Sequence, residues 1–318
     1  MASPRVIALD LGGTKLLSGV VSEDGVVEKR VVSSTNTSSE DAVLSQVDAS
    51  IEGLLDDGVC AIGVGMPSTI DQRRGEAVDS VNIPLADVPF RDRLRERFGL
   101  PAAIENDANA AALAEHRHGA GRGSQHMVML TLGTGVGGGL ILHGELYRGA
   151  TGAAGELGHI TLDLHGPSCQ GRCPGRGHLE AMASGTAADG YAREAAERNP
   201  EGDLGRAAAE GKTVDARLAV DLAAEGPGDA RDVLEHVGFH LGVGIASFVN
   251  VFNPELVVIG GGFARAGDLL FEPARRVVAE RALSPARDEV QIVPALLGVE
   301  AGLIGAGLVG FEALSQEP

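Results

Sequence analysis

Val6-Ile-Ala-Leu-Asp10-Leu-Gly-Gly-Thr-Lys15 runs as an apolar strand, closes on a carboxylate and turns on two glycines before Leu16 to Val21 continue as a second strand. A glycine pair in a tight turn points backbone N–H groups outward, where phosphate oxygens can meet them. Gly-Gly alone is more often an ordinary hairpin turn. Thr14 and Lys15 beside Gly12 and Gly13 shift the reading toward a phosphate loop, with Asp10 holding Mg²⁺ through water. The same order of strand, glycine-threonine loop and strand returns between His126 and His143. Two uses of one plan predict two α/β lobes with a duplicated core.

Outward from that stretch, Asp24-Gly25 turns the chain into a strand over Val26 to Val32, Glu40 to Leu55 has apolar residues at helical spacing, and Ala61 to Gly65 returns to strand. Arg91 to Phe98 predicts a helix, Ala102 to Glu105 a buried strand, and Asn106 to Arg117 an alanine-rich helix. After the second glycine loop, expected as a turn over Gly133 to Gly139, Glu180 to Arg198 reads as one helix and Glu201 to Gly228 as polar helices and turns. Asp229 to Phe252 reads as one long helix between lobes, its Gly238, Gly242 and Gly244 admitting a neighbouring backbone. Leu256 to Ile259 and Val290 to Pro294 are the last strands, before a glycine-rich helix from about Glu300. The expected lobes are 1–118 and 119–318, with the C-terminal helix able to pack back on the first.

In Leu132-Gly-Thr-Gly-Val-Gly-Gly-Gly139 a dinucleotide fingerprint matches by letter, but that motif needs a helix directly after it and Leu140 to His143 reads as strand. A phosphate-gripping hairpin at Gly133 and Gly135, with Thr134 as donor, fits better. Neither loop ends in the Gly-Lys-Ser/Thr of a Walker A. Gly260-Gly261-Gly262 follows a buried strand and offers bare backbone to a flat base or ribose. Asp107 follows a strand and opens a helix, where open α/β sheets place ligands; its plain alternative is helix capping. Glu156, His159 and Glu180 are groups that can hydrogen-bond vicinal hydroxyls; taken alone, Glu156 and His159 read more readily as a solvated loop. Cys169, Cys173 and His178, together with His159, form a tetrahedral zinc set, whose alternative is two free thiols in a loop.

A formal net charge of −18 excludes nucleic acid as the main ligand, because duplex binding draws on lysine and arginine. No signal-peptide pattern opens the chain, the most apolar helix candidate, Leu241 to Val251, is too short to span a bilayer, and three cysteines are too few for a disulfide framework. A cytoplasmic protein with no membrane span is expected.

Asp10 to Lys15, Glu105-Asn-Asp107, Leu132 to Gly138, Glu156-Leu-Gly-His159, the cysteine loop and Glu180, in that order, resemble the ROK family over nearly the whole chain. That family comprises bacterial glucokinases, other hexose kinases and sugar-responsive repressors. The resemblance implies an actin-like, ribonuclease H-like two-lobed ATPase fold with an interlobe cleft, and a homo-oligomer, dimer or tetramer. It implies ATP-dependent phosphorylation of the primary (6-) hydroxyl of an aldohexose, glucose first, with N-acetylmannosamine or fructose as alternatives. Asp107 is then the catalytic base. Gly65, Asn82, Asn106, Glu156, His159 and Glu180 join Asp107 around the sugar, the loops at Gly12 and Gly133 hold phosphates, and Gly261 lies near adenosine. His178 stands where the family's zinc loop usually has a third cysteine, and Ser68 where the sugar wall usually has glycine. Repressors of the family add a helix-turn-helix before the first loop; with nine residues before Asp10 and an acidic chain, the kinase branch is the expected one.

Overall fold

The computed structural model describes residues 4–80 and 82–315. In chain order the elements are β1 (Arg5–Leu11), β2 (Lys15–Ser22), β3 (Val27–Ser34), α1 (Glu40–Glu52), β4 (Val59–Met66), β5 (Ser68–Asp71), β6 (Glu76–Ser80), β7 (Ala86–Val88), α2 (Phe90–Phe98), β8 (Ala102–Asn106) and α3 (Asp107–His118). There follow β9 (His126–Leu132), β10 (Val136–Leu142), β11 (Glu145–Leu146), α4 (Leu179–Ala183), α5 (Gly185–Arg198), α6 (Asp203–Ala209), α7 (Ala216–Glu225) and α8 (Asp229–Phe252). The chain closes with β12 (Leu256–Gly260), α9 (Asp268–Arg281), α10 (Ala286–Glu289), β13 (Gln291–Pro294) and α11 (Ala301–Ser315).

The strand orders are β3-β2-β1-β4-β8 in one sheet and β11-β10-β9-β12-β13 in another. In each, hairpin strands lie on one side of the leading strand and two parallel strands on the other. This is the duplicated core of a mixed α/β, actin-like fold. A third sheet, β5-β6-β7, had no counterpart in the sequence reading, because its strands are short and partly exposed.

Two further differences have local causes. The expected helix over Glu180 to Arg198 is broken at the buried Ser184, whose extended backbone ends α4 and whose side chain caps α5 by accepting from Ala187 N. The turn expected over Gly133 to Gly139 closes early: Gly133 N donates to Gly135 O at 2.9 Å, and β10 is under way from Val136.

The chain forms two compact units. The first holds the residues up to Gly123, Gly139–Gly155 and the chain from Leu296 on; the second holds Ser124–Gly138 and Glu156–Ala295. In the first unit, β1 alternates between two cores. Ile7, Leu9 and Leu11 pack with Val43, Val47 and Ile51 of α1, whereas Val6 and Ala8 pack with Leu303 and Ala306 of α11. Burial on both faces suits a sheet with parallel neighbours.

Helix α11 lies on that second face at backbone contact distance. A Cβ on Gly63 of β4 would stand 1.8 Å from the Ala306 carbonyl, and one on Gly305 would stand 1.9 Å from the Ala110 carbonyl of α3. Among the described residues the stretch Gly298–Ser315, rather than Leu241 to Val251, is long and apolar enough to cross a membrane by length and composition. Half of it is buried inside the protein, and its apolar face is core. At the far end of α3 the fully buried Glu115 accepts N–H groups from Ala120, Leu296 and Leu297 at 2.8–3.0 Å. It holds the segments where the chain leaves and re-enters the first unit.

In the second unit α8 spans the 24 residues read from sequence. Its glycines do admit neighbours: Gly238 faces the Leu270 carbonyl and Pro273, and Gly242 faces the Ala274 carbonyl. Its strongest partners are α9, α7, α5 and α4, all of the same unit, so it is the spine of that unit.

Overpacking at the α11 seat is expected to be costly. Gly63→Ala should lose about 1–3 kcal/mol in urea denaturation. Gly190→Ala, inside α5 with nothing near a new Cβ, should gain about 0.5–1 kcal/mol.

Candidate active site

In the first unit the parallel strands β1, β4 and β8 end together. Asp10 stands opposite Gly65, and Gly65 opposite Glu105. The C-terminal edge of such strands is where α/β sheets present ligand-binding loops. Asp10 is half-buried, and its carboxyl is pushed up to about 6, first by burial, then by the charge of Asp107, with Lys15 acting the other way. The first turn of α11 leaves room for it: a Cβ on Gly302 would lie 2.5 Å from Asp10 Oδ2.

The hairpin after Asp10 is closed by Gly12 N donating to Lys15 O at 2.9 Å, and Thr35 Oγ1 donates to Gly12 O at 2.6 Å. Gly13 is bare because Asn82 lies against it, its Cβ 2.8 Å from where a Cβ on Gly13 would be. Thr14 and Lys15 are exposed at the tip.

Helix α3 starts at Asp107, and the capping duty weighed for that residue belongs to its neighbour. Asn106 Oδ1 accepts from Ala108 N at 2.9 Å and from Asn109 N at 3.1 Å. Its Nδ2 lies 3.5 Å from Ser68 O. Asp107 occupies the first helical position and accepts from Ala108 N through Oδ1 at 2.8 Å. A Cβ on Gly65 would stand 3.4 Å from Ala110 Cβ and 3.9 Å from both Ala306 Cβ and Asp107 Cα, so the bare strand end lets α3 and α11 pack close to it. Ser68 turns its hydroxyl toward the Asp79 carbonyl of β6 at 2.8 Å, which uses the group inside the small sheet.

Beneath Asp107 lies a group to which the sequence reading gave no role. Glu105 has no exposed surface, and its Oε2 meets Arg148 Nε at 2.5 Å and Gln72 Nε2 at 3.2 Å. Its Oε1 accepts from Asn106 N at 3.0 Å and Asn109 Nδ2 at 3.1 Å. Arg148 also holds Glu312 of α11 at 2.6 Å.

In the second unit the glycine loop is braced from behind. Gly185 N, at the start of α5, donates to Gly133 O at 2.9 Å, and Thr186 Oγ1 donates to Thr134 O at 2.8 Å. Glu180 Oε2 accepts from Val136 N at 2.9 Å, and a Cβ on Gly135 would stand 2.2 Å from that oxygen. Gly135 is therefore bare for Glu180, whereas nothing of the protein lies within 4 Å of a Cβ on Gly133. Gly261, at φ +89°, crosses the backbone of Leu132, and the open glycine of that trio is Gly262.

Glu156 precedes a single 3-10 turn, Leu157–His159, which brings its Oε2 to 3.8 Å from His159 Nε2. The Glu156 carboxyl is held above its usual range, mainly by desolvation, with His159 lowering it and Glu180 raising it. The other ring nitrogen of His159 faces a quartet. Its Nδ1 is 3.3 Å from His178 Nδ1 and 3.7 Å from Cys169 Sγ, and Cys173 Sγ is 3.6 Å from His178 Nδ1. A tetrahedral zinc with two nitrogen and two sulfur ligands has ligand-to-ligand edges of about 3.3–3.8 Å. All four donor atoms lie within 4.8 Å of one another, so the residues fit such an ion. The Cys169 thiol is pushed up to about 12, by burial and then by Cys173.

Glycine hairpins at corresponding strand ends of two like sheets, with a carboxylate opening the next helix, define the class of actin-like sugar-kinase folds. Residues 6–310 match the ROK family model, and the chain belongs to the ROK family. It is 38% identical to a glucokinase of Thermotoga maritima over 97% of this chain and 98% of that protein. A ROK family glucokinase of Streptomyces griseus, solved in complex with glucose and AMPPNP, superposes with a TM-score of 0.84 at 32% identity, covering 97% of this chain and 99% of that one. A ROK hexokinase of Thermus thermophilus is 36% identical, with a TM-score of 0.78 over 98% of this chain and the whole of that one.

The raised Asp10 has a consequence for stability. Its protonated form is favoured by folding, so its contribution is full below about 4 and is lost as pH rises through about 6. Asp10→Asn should therefore unfold a few degrees above wild type at pH 7.5 in metal-free buffer, with the gap closing at pH 4; thermal melts at both pH values test this.

Proposed function

We propose that the chain transfers the γ-phosphoryl group of ATP to the 6-hydroxyl of an aldohexose, with glucose as the first choice. The observation that carries this reading is Asp107 at the first position of α3, released from capping by Asn106 and set beside Asp10 at a parallel strand edge. The similarity to the Streptomyces griseus glucokinase solved with glucose and AMPPNP, and to the Thermotoga maritima glucokinase, supports the same reading.

In this scheme Asp107 accepts the proton of the sugar 6-hydroxyl as that oxygen bonds to the γ-phosphorus, and the bond to the β-phosphate oxygen breaks to release ADP. Gly65, Asn82, Asn106, Glu156, His159 and Glu180 hold the remaining hydroxyls. Backbone N–H groups at Gly12, Gly13, Thr14, Gly133, Thr134 and Gly135, with Lys15, stabilise charge on the phosphates, and Gly261 lies on the adenosine side. Mg²⁺, when bound, would neutralise phosphate charge, and Asp10 is the residue to hold it. Cys169, Cys173, His159 and His178 would hold a structural zinc, with His159 binding through Nδ1 and keeping Nε2 toward Glu156. A homo-oligomer acting in the cytoplasm completes the proposal.

Coupled ADP release measured across glucose, mannose, fructose and N-acetylmannosamine should give its highest kcat/KM with glucose. Asp107→Asn should lose about 10²–10⁴-fold in kcat while still binding both substrates; near wild-type turnover in that variant would remove Asp107 as the base.

Metal analysis of the purified protein should find about one zinc per chain, and Cys169→Ser should lose it together with glucose affinity. Unchanged activity after complete zinc removal would count against the brace.

A further inference from the structure

Arg148 lies in no glycine loop and is not among the sugar ligands proposed above, yet it makes an ion pair with the one carboxylate that underlies the base. Burying a charged pair costs desolvation on both partners, and a well-packed apolar pair often serves stability as well or better. Glu105 is nevertheless fully buried as a carboxylate, and its two oxygens divide their work. Oε2 takes Arg148 and Gln72, while Oε1 takes the backbone N–H of Asn106 and the side-chain amide of Asn109. Asn106 is the cap of α3, Asp107 its first residue, and Asn109 completes the first turn. The turn that presents Asp107 is thus tied from below by Glu105 and from the side by its own cap.

Arg148 also begins the segment that leads to Glu156. That segment is fastened to the end of β5, since Thr151 O accepts from Gln72 N at 2.8 Å and Gly152, at φ +111°, seats on Ile70 O and Gln72. Gln72 Nε2 returns to Ile104 O and to Glu105. One ion pair therefore ties the start of α3 to the approach of the chain toward Glu156.

We propose that Arg148, acting through Glu105, is a positioning residue for phosphoryl transfer, holding the Asn106-Asp107 turn in its productive orientation. The inference rests on the assignment of Asp107 as the base.

The test compares Arg148→Met, Glu105→Gln and Arg148→Lys in the full chain with glucose and ATP. Arg148→Met and Glu105→Gln should lower kcat about 10- to 100-fold, because small misplacements of a reacting group carry losses of that order, with KM for ATP within about twofold of wild type. Arg148→Lys, which keeps the charge, should recover part of the loss. Arg93→Met, which breaks the pair with buried Asp48 elsewhere in the first unit, should lower the unfolding midpoint and leave kcat unchanged. A folded Arg148→Met with wild-type kcat overturns the proposal; if that variant does not fold, a wild-type kcat in Glu105→Gln does so. Failure of both to fold, with Arg148→Lys at wild-type kcat, assigns the pair to stability alone and overturns it as well. Asp107→Asn run in parallel separates the two readings. If it stays active the base assignment falls, whereas if it is dead and Arg148→Met is normal only this inference falls.

Discussion

Asp10 stands near the end of β1 and Asp107 follows β8, two strands across the same sheet, and the charge of Asp107 adds to burial in raising the Asp10 carboxyl. Each carboxylate of this strand edge has its own compensation. Glu105 is neutralised by Arg148. Asp107 sits at a helix N-terminus, where the aligned peptide dipoles favour negative charge. Asp10 has Lys15 as its opposing charge and still binds its proton more tightly than a free aspartate does. The start of α11 presses on the same oxygen, and only the bareness of Gly302 lets it do so.

The second unit solves a different problem, which is how to hold a glycine-rich loop still without side chains. It does so with groups that come from behind. The break at Ser184 gives α5 its own N-terminus, and the first free amide of that helix, from Gly185, is spent on the Gly133 carbonyl. Glu180, one turn earlier in α4, takes the Val136 amide. The loop and the acidic side chain assigned to the sugar are therefore parts of one hydrogen-bonded assembly, so a change at Gly135 reaches both.

Elements with strong periodicity were legible in the sequence: α8 ran over the residues that its apolar spacing marked, and β1, β8 and β9 followed their apolar runs. The doubled strand order was visible from the two glycine loops. What the sequence withheld was decided by tertiary contact. Strands β5 to β7 are too short and too polar to carry a period. Ser184 is a helix-compatible residue until its own hydroxyl caps the next helix. Glu105 stood inside a motif already singled out, but its partner is a lone arginine 43 residues away, and nothing local announces such a pair. The sequence assigns the glycines at Gly12 and Gly133 to phosphate and those at Gly260 to Gly262 to the adenosine side. Their packing distinguishes those that make room for a protein neighbour, such as Gly13, Gly135 and Gly261, from Gly133 and Gly262, which face open space.

The first unit is closed by α11, the last helix of the chain, which supplies Leu303 and Ala306 to the core over β1 and β4. A ribosome making this protein emits β1 to α3 before the second unit and α11 after every residue of it. Until then Val6, Ala8, Leu17, Val21 and Ala61 lack the helix that covers them. These strands thus wait through the synthesis of the whole second unit for their partner, and a chain interrupted between Ala295 and Ala301 would carry a complete second unit and an open first one.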